Sequence, residues 1–321
     1  MSDSQDRATT LLLKEFIESK FSDLMNIFVP SYNRSGIAPL LNMMTDAHPR
    51  IQQKIHVIVR EDQLQDYRDT YPHMKILTVI DGEAGVGPAK MSCLTRADEL
   101  GYDRIIMMDD DITHVSVLQS IINSSGNRHS QRYSPRKSGI PEPMTTIRAL
   151  TVTSIIADRV MDSDDRIAYG GIRNALFSGG VDTSESVLIN QSSFPSCVMI
   201  FDLGRFKTRQ LPSEYQFYGE DIAMWMENYS HDHDQFIIQT VAYDQSSNLE
   251  TTVPLDPEDE EGRRIDMDNA RVVYPDLYPF LRESYLNSNG GVKRIGIRWD
   301  RLNKETGREK RKIRTEDLLC S

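Results

Sequence analysis

Cysteine is scarce in this 321-residue chain: Cys93, Cys197 and Cys320, an odd number at unrelated spacings. They support neither a disulfide framework nor a zinc module, and they fit a reducing, cytoplasmic setting. Long apolar runs are missing as well. No stretch approaches the roughly 18 consecutive apolar residues of a spanning helix, so no membrane partner is expected. The opening MSDSQDRATT is acidic and polar and does not read as a signal peptide. Positive charge is in the minority, with 37 Lys and Arg against 48 Asp and Glu, a net −11. That balance argues against a nucleic-acid coat or a binder of anionic membranes, while leaving room for a local basic patch. No internal repeat is visible. With 39% apolar and 26% charged residues, the chain reads as globular, neither disordered nor collagen-like.

What is present is a rhythm. Residues 8–23 carry apolar positions at helical spacing and predict a leading amphipathic helix. MNIFVP (25–30), KIHVIV (54–59), KILTVID (75–81) and DRIIMM (103–108) are apolar strand candidates, separated by helical patterns that include 87–101. Strand and helix alternating at this pace predict an α/β fold with parallel pairing through right-handed crossovers. Continuous apolar strands fit a sheet covered on both faces by helices. Ligands of such sheets bind beyond the carboxyl ends of the strands, which draws attention to 30–34 and 109–111. Further on, 144–162 and 218–230 read as helices, 193–203 contains a strand and 235–244 is a strand. Residues 123–143 read as a long basic surface loop and 254–264 as a solvated acidic one. From Lys293 to Arg314 ten basic residues face three acidic ones, a basic tail of net +7. The expected division is a leading helix (1–24), a nucleotide-binding domain (25–245) and a C-terminal extension (246–321).

Four motifs carry chemistry. MMDDDI puts Asp109, Asp110 and Asp111 at the end of a buried strand. Three adjacent carboxylates repel unless a cation sits among them, and Asp109 and Asp111 fall on one side of an extended chain. Magnesium or manganese with a diphosphate is the ligand such oxygen donors suit, although a solvated helix cap has the same composition. YGED places Glu220 and Asp221 at a helix start, where a carboxylate can serve as general base on a hydroxyl or simply complement the macrodipole. The strand-end loop Pro30, Ser31, Tyr32, Asn33 and Arg34 can hold a base and ribose, or be an ordinary turn. GEAGVGPAK (82–90) fails the spacing of both phosphate-loop motifs, yet Lys90 at a helix start can meet a diphosphate. HDHD (231–234) reads as a solvated turn more readily than as a metal site, and Trp225 and Trp299 as packing.

Together FVPSYNR, AK in a glycine-opened helix, MMDDDI and YGED resemble glycosyltransferases of the GT-A fold, over residues 25–245. More narrowly they resemble the phage glycosyltransferases associated with TET-type hydroxylases, which decorate hydroxymethylated pyrimidines in DNA. The resemblance implies a GT-A-like fold with a mostly parallel central sheet flanked by helices. It also implies a sugar-nucleotide donor, UDP-linked, bound under the first strand-end loop. Its Asp-x-Asp motif falls on Asp109 and Asp111 as holders of Mn2+ or Mg2+, with Asp110 near ribose or sugar hydroxyls. Its x-Glu-Asp motif makes Asp221 the base and Glu220 a positioning group. The chain departs from the family where Lys90-Met91 stand for Arg-Asn, and where the late strand ends in Asp244 and Gln245 with no histidine after His233. The DNA acceptor would be gripped by Arg128, Arg132, Arg136 and Lys137 and by Arg308, Lys310, Arg311 and Lys312. The location is then the host cytoplasm. A glycan or protein acceptor, a metal-dependent sugar nucleotidyltransferase and a metal-stabilised binding module are the alternative readings.

Overall fold

The computed structural model describes residues 21–80, 86–122, 128–132, 142–174, 187–190, 195–206, 220–246, 271–272, 274–285, 293–314 and 317–318. The leading helix, apart from a short 3-10 turn at Phe21–Asp23, and the acidic loop lie outside the described residues.

The first half is as the rhythm predicts. Strands β1 (Asn26–Pro30), β2 (Ile55–Val59), β3 (Lys75–Thr78) and β4 (Arg104–Met108) pair in parallel, in the order β3-β2-β1-β4. Helices α1 (Pro39–Thr45), α2 (Pro49–Gln52), α3 (Leu64–Thr70) and α4 (Val86–Glu99) make the connections. Period-two alternation explains why the strands are apolar throughout. Ile27, Val29, Ile106 and Met108 join one core, with α1 and Tyr67 of α3. Phe28, Ile105 and Met107 join the other, with Met91, Cys93 and Leu94 of α4.

Beyond β4 the sheet is mixed. β5 (Ile112–Ile122) and β6 (Arg128–Arg132) form an antiparallel pair. Helix α5 (Glu142–Ser163) is followed by β7 (Ile167–Asn174), β8 (Val187–Ile189) and β9 (Val198–Asp202). Helix α6 (Glu220–Ser230) leads into β10 (Asp234–Gln245). β9 runs antiparallel between β4 and β7, β10 runs parallel to β7, and β5 pairs antiparallel with the end of β10. β11 (Leu281–Tyr285) and β12 (Lys293–Ile297) form a separate hairpin before helix α7 (Trp299–Thr306). The tail then returns as β13 (Arg311–Ile313), which closes the sheet edge against β8. Residues 311–313, placed by sequence in a C-terminal extension, are therefore part of the central sheet.

Close approach is built in at β7. A Cβ on Gly170 would lie 2.2 Å from the Phe236 ring, and one on Gly171 2.3 Å from the Val198 carbonyl oxygen. Trp225 is buried and meets Trp299 edge-on at 5.3 Å, so both tryptophans pack as expected. Among the described residues no helix is long and apolar enough to cross a membrane.

Candidate active site

The three aspartates after β4 have three different environments. Asp109 donates its backbone N–H to the Cys197 carbonyl at 2.9 Å, which ties the motif to the start of β9. Its Oδ1 lies 3.1 Å from Nζ of Lys90, and Lys90 is only 2% exposed in the first turns of α4. Lys90, the residue expected to meet a diphosphate, thus lies at the strand end with Asp109 as a partner.

Asp110 points inward and is 5% exposed. Ser31 Oγ donates to its Oδ2 at 2.5 Å, and the Arg34 guanidinium donates to Oδ1. Burial pushes its pKa up to about 6, against the opposing pull of Arg34 and Ser31. The expectation that Asp110 meets ribose or sugar hydroxyls is not met: its two oxygens are taken by the β1 loop. Tyr67 completes that bolt. Its hydroxyl lies 2.7 Å from Ser31 Oγ and accepts the Arg34 backbone N–H at 2.9 Å. Burial raises Tyr67 to about 12, so it stays a phenol.

Asp111 is set up by β10. Gln245 Nε2 donates to its Oδ2 at 2.8 Å, and the Ser246 N–H donates to its carbonyl at 2.9 Å. The Cys197 thiol donates to Gln245 Oε1 at 3.4 Å, so the amide is held at both ends. Asp111 Oδ1 is enclosed and, among the described residues, has no hydrogen-bond partner. An enclosed carboxylate oxygen without a donor costs on the order of 1–3 kcal/mol, and a hard divalent cation would relieve it. Among the described residues no three His, Cys, Asp or Glu side chains converge as a ready-made cage. Magnesium sites often have few protein ligands and complete their shell with phosphate and water, so the donor set fits such an ion.

The β1 loop splits between structure and access. Pro30 pairs in the sheet opposite Ile58, while Ser31 and Arg34 serve Asp110. Asn33 takes a left-handed conformation (φ 53°), which asparagine tolerates, and its N–H donates to Gln63 Oε1 at 3.0 Å. Tyr32 is 41% exposed, with the Arg60 guanidinium 5.5 Å from its ring centre. Gln63, Tyr67 and Cys197 join this region although nothing in their local sequence marks them, whereas Gln245 stands at the late strand end already noted as a departure from the family.

Glu220 opens α6, and Asp221 Oδ1 accepts the Ile222 N–H at 2.8 Å within its first turn. The side chain of Glu220 lies outside the described residues. A short turn at 231–233 joins α6 to β10.

The basic candidates divide sharply. Arg308 is 7% exposed and is not a phosphate contact. It bonds Asp234 at 3.2 Å and Asp232 at 3.1 Å, with its guanidinium 3.6 Å from the Tyr229 ring centre. Arg311 bonds Asp164 at 2.6 Å and Asp234 at 3.2 Å. The tail is thus no free basic arm: Asp234, the last residue of HDHD and 3% exposed, is the buried counter-charge that holds it. Lys310 pairs with Asp300 at 2.5 Å on the surface, and Lys312 is exposed. Arg128 and Arg132 sit in β6, not in a loop, because pairing with β5 orders them; Arg136 and Lys137 lie outside the described residues.

Comparison with known proteins bears on this geometry. Residues 25–252 match the model of the TET-Associated Glycosyltransferase family. No curated protein matches the chain. Among solved structures, glucosyl-3-phosphoglycerate synthase from Mycobacterium tuberculosis is similar at 10% identity and a TM-score of 0.44, over 90% of this chain and 95% of that one. A mannosyltransferase from Pyrobaculum calidifontis is similar at 11% identity and a TM-score of 0.38, over 76% of this chain and 65% of that one. The family match spans well over half of the sequence and includes the aspartate triplet, Lys90, Asp221 and Gln245, and on that ground the chain belongs to the TET-associated glycosyltransferase family.

Proposed function

We propose that this glycosyltransferase moves a sugar from a nucleotide-diphosphate donor, UDP-linked, to the hydroxyl of a hydroxymethylated pyrimidine in DNA. The observation that carries the donor half is Asp111, whose Oδ2 is fixed by Gln245 while its enclosed Oδ1 has no partner. Family membership supports the acceptor half.

In this reading Asp111, with Asp109 beside it, would hold Mn2+ or Mg2+. When bound, the ion would act as a Lewis acid that neutralises charge gathering on the leaving diphosphate. Lys90, paired with Asp109, supplies a second positive charge at the same strand end. Tyr32, exposed on the β1 loop beside Arg60, is the stacking surface for the donor base, and Asp110 keeps that loop in place through Ser31 and Arg34. Asp221 takes the proton from the acceptor hydroxyl as its oxygen bonds to the anomeric carbon, with Glu220 positioning the acceptor. The bond from that carbon to the diphosphate breaks and the nucleoside diphosphate leaves with the electron pair. A single displacement of this kind inverts the anomeric centre.

The test is release of nucleoside diphosphate from a panel of nucleotide sugars, with manganese, with and without DNA containing hydroxymethylcytosine or hydroxymethyluracil. Release stimulated by the modified DNA and not by its unmodified counterpart is expected. Equal release with both would contradict the acceptor assignment, and none with any donor would contradict the donor assignment.

A further inference from the structure

A two-stranded ribbon leaves the central sheet next to the candidate site. β5 starts at Ile112, directly after Asp111, and pairs with β10 as far as Val117 opposite Val241. The rest of that edge of β10 is occupied by β8, which pairs through Phe236, Ile237 and Ile238 and itself carries β13. β5 therefore leaves the sheet beyond Leu118, which is still buried against Ala242, and among the described residues continues with β6 alone. A lone two-stranded ribbon is marginal in water and presents unpaired strand edges. Its chemistry favours one kind of partner.

Residues 112–141 contain no Asp or Glu in 30 positions, in a chain with 48 acids among 321 residues. The same stretch holds Arg128, Arg132, Arg136 and Lys137, seven serines, and the amides of Gln119, Asn123, Asn127 and Gln131. The stretch is cationic in sequence and rich in hydrogen-bond donors, on a protein of net charge −11. Arg128, Ser130 and Arg132 occupy alternate positions of β6, opposite Ile122, Ser120 and Leu118, and so share one face of the ribbon. At about 3.4 Å per residue the two arginine positions are about 13 Å apart, close to the ~12 Å width of the B-DNA major groove, which admits a two-stranded ribbon. The same rise puts the ribbon root about 24 Å, and its far end about 37 Å, along β5 from Asp111, or about seven to eleven base pairs of duplex.

We propose that the β5–β6 ribbon is a grip for double-stranded DNA, lying in the major groove with Arg128 and Arg132 on the phosphates at either side. It holds the duplex about seven to eleven base pairs from the base presented to Asp111. The proposal rests on the DNA-acceptor reading above and adds that the acceptor is a duplex, and where it is held.

The test measures binding of an unmodified duplex of about 24 base pairs, longer than that reach, and of a single strand of the same sequence, by fluorescence anisotropy across a salt series. The proteins are the full chain, its Arg128→Gln/Arg132→Gln variant and its Arg128→Lys/Arg132→Lys variant, each checked for unchanged melting. The full chain should prefer the duplex by about tenfold or more. The glutamine variant should weaken duplex binding and lower the slope of log K against log salt by about two, roughly one for each phosphate left without its arginine, while the lysine variant keeps the slope. An unchanged slope in the glutamine variant, or a preference for the single strand, overturns the proposal. The acceptor reading fails separately. If no sugar reaches hydroxymethylated DNA while the slope change is seen, the grip stands and the acceptor is wrong. If sugar is transferred and the slope does not change, the acceptor stands and the grip is wrong.

Discussion

Gln245 donates from Nε2 to Oδ2 of Asp111 at 2.8 Å, across 134 residues of sequence. The contact makes the two carboxylate oxygens unequal, one fixed and one enclosed without a partner. It exists because β5 and β10 pair antiparallel next to the triplet, with Gln245 opposite Ile112. In this chain a glutamine stands at the end of the late strand, and no histidine follows His233.

Gln245→Ala should therefore act through the metal. Groups that orient a ligand typically contribute about 10–100-fold in metal affinity or activity. Titrating manganese against initial rate should show a higher half-saturating concentration in the variant, with the maximal rate partly recovered at excess metal. An unshifted titration would remove Gln245 from this role.

Asp110 and Asp111 should separate stability from activity. Asp110→Ala strips the partner from the largely buried Arg34, and breaking a buried ion pair costs about 3–5 kcal/mol. Asp111→Asn should leave the unfolding midpoint nearly unchanged and abolish transfer. Denaturant unfolding and rate, measured on both variants, decide the matter; equal destabilisation by the two would contradict the division.

Asp221→Asn should lower kcat by about 10²–10⁴-fold, the range for removing a general base, with donor KM changed little. Steady-state kinetics with saturating modified DNA reads this directly. A variant near wild-type rate would move the proton acceptor elsewhere.

The tail clamp predicts an acid-sensitive contribution to stability. Burial pushes Asp164 up, but hydrogen bonds from the Arg166 N–H and Arg311, with the charges of both arginines, outweigh it and hold the carboxyl below its usual range. A carboxyl depressed in the folded state stabilises fully above its unfolded pKa, about 3.9, and loses that contribution as pH falls through the lower folded value. The stability gap between wild type and Arg311→Gln should be constant above about pH 4 and shrink below it. Melting across that range measures the gap, and a gap that widens in acid would contradict the assignment.

Gly171→Ala should disturb the site from behind. The new Cβ would meet the backbone carbonyl of Val198 at 2.3 Å, next to the Cys197 carbonyl that anchors Asp109. Overpacking of this kind costs about 1–3 kcal/mol, and the strand that must shift carries the triplet's anchor. Reduced melting temperature together with reduced kcat is expected, and loss of neither would show that β9 yields freely.

Local pattern made β1 to β4 legible, because strands buried on both faces are apolar at every position, as Ile105 to Met108 are. It also placed the triplet at a strand end and Lys90 on a helix start beside it. What it could not show depends on pairing over long distances. Arg308 looks like a solvated arm until Asp234 is brought under it from 74 residues away. β6 reads as a loop because Arg128 to Arg132 include none of the β-branched or aromatic residues enriched in strands, and pairing with β5 orders them all the same. Asp110 looks equivalent to its two neighbours by composition, and its inward role follows from Ser31, Arg34 and Tyr67 on other elements.

The central claim, sugar transfer onto a modified base through the aspartate triplet, is tested most directly by mass spectrometry of nucleosides. DNA carrying hydroxymethylcytosine or hydroxymethyluracil would be incubated with a nucleotide sugar, manganese and either wild type or Asp111→Asn. A sugar mass added to the modified nucleoside by wild type and absent with Asp111→Asn is the predicted result. Donor consumed with no mass gain on any nucleoside, or equal gain with both proteins, would contradict it.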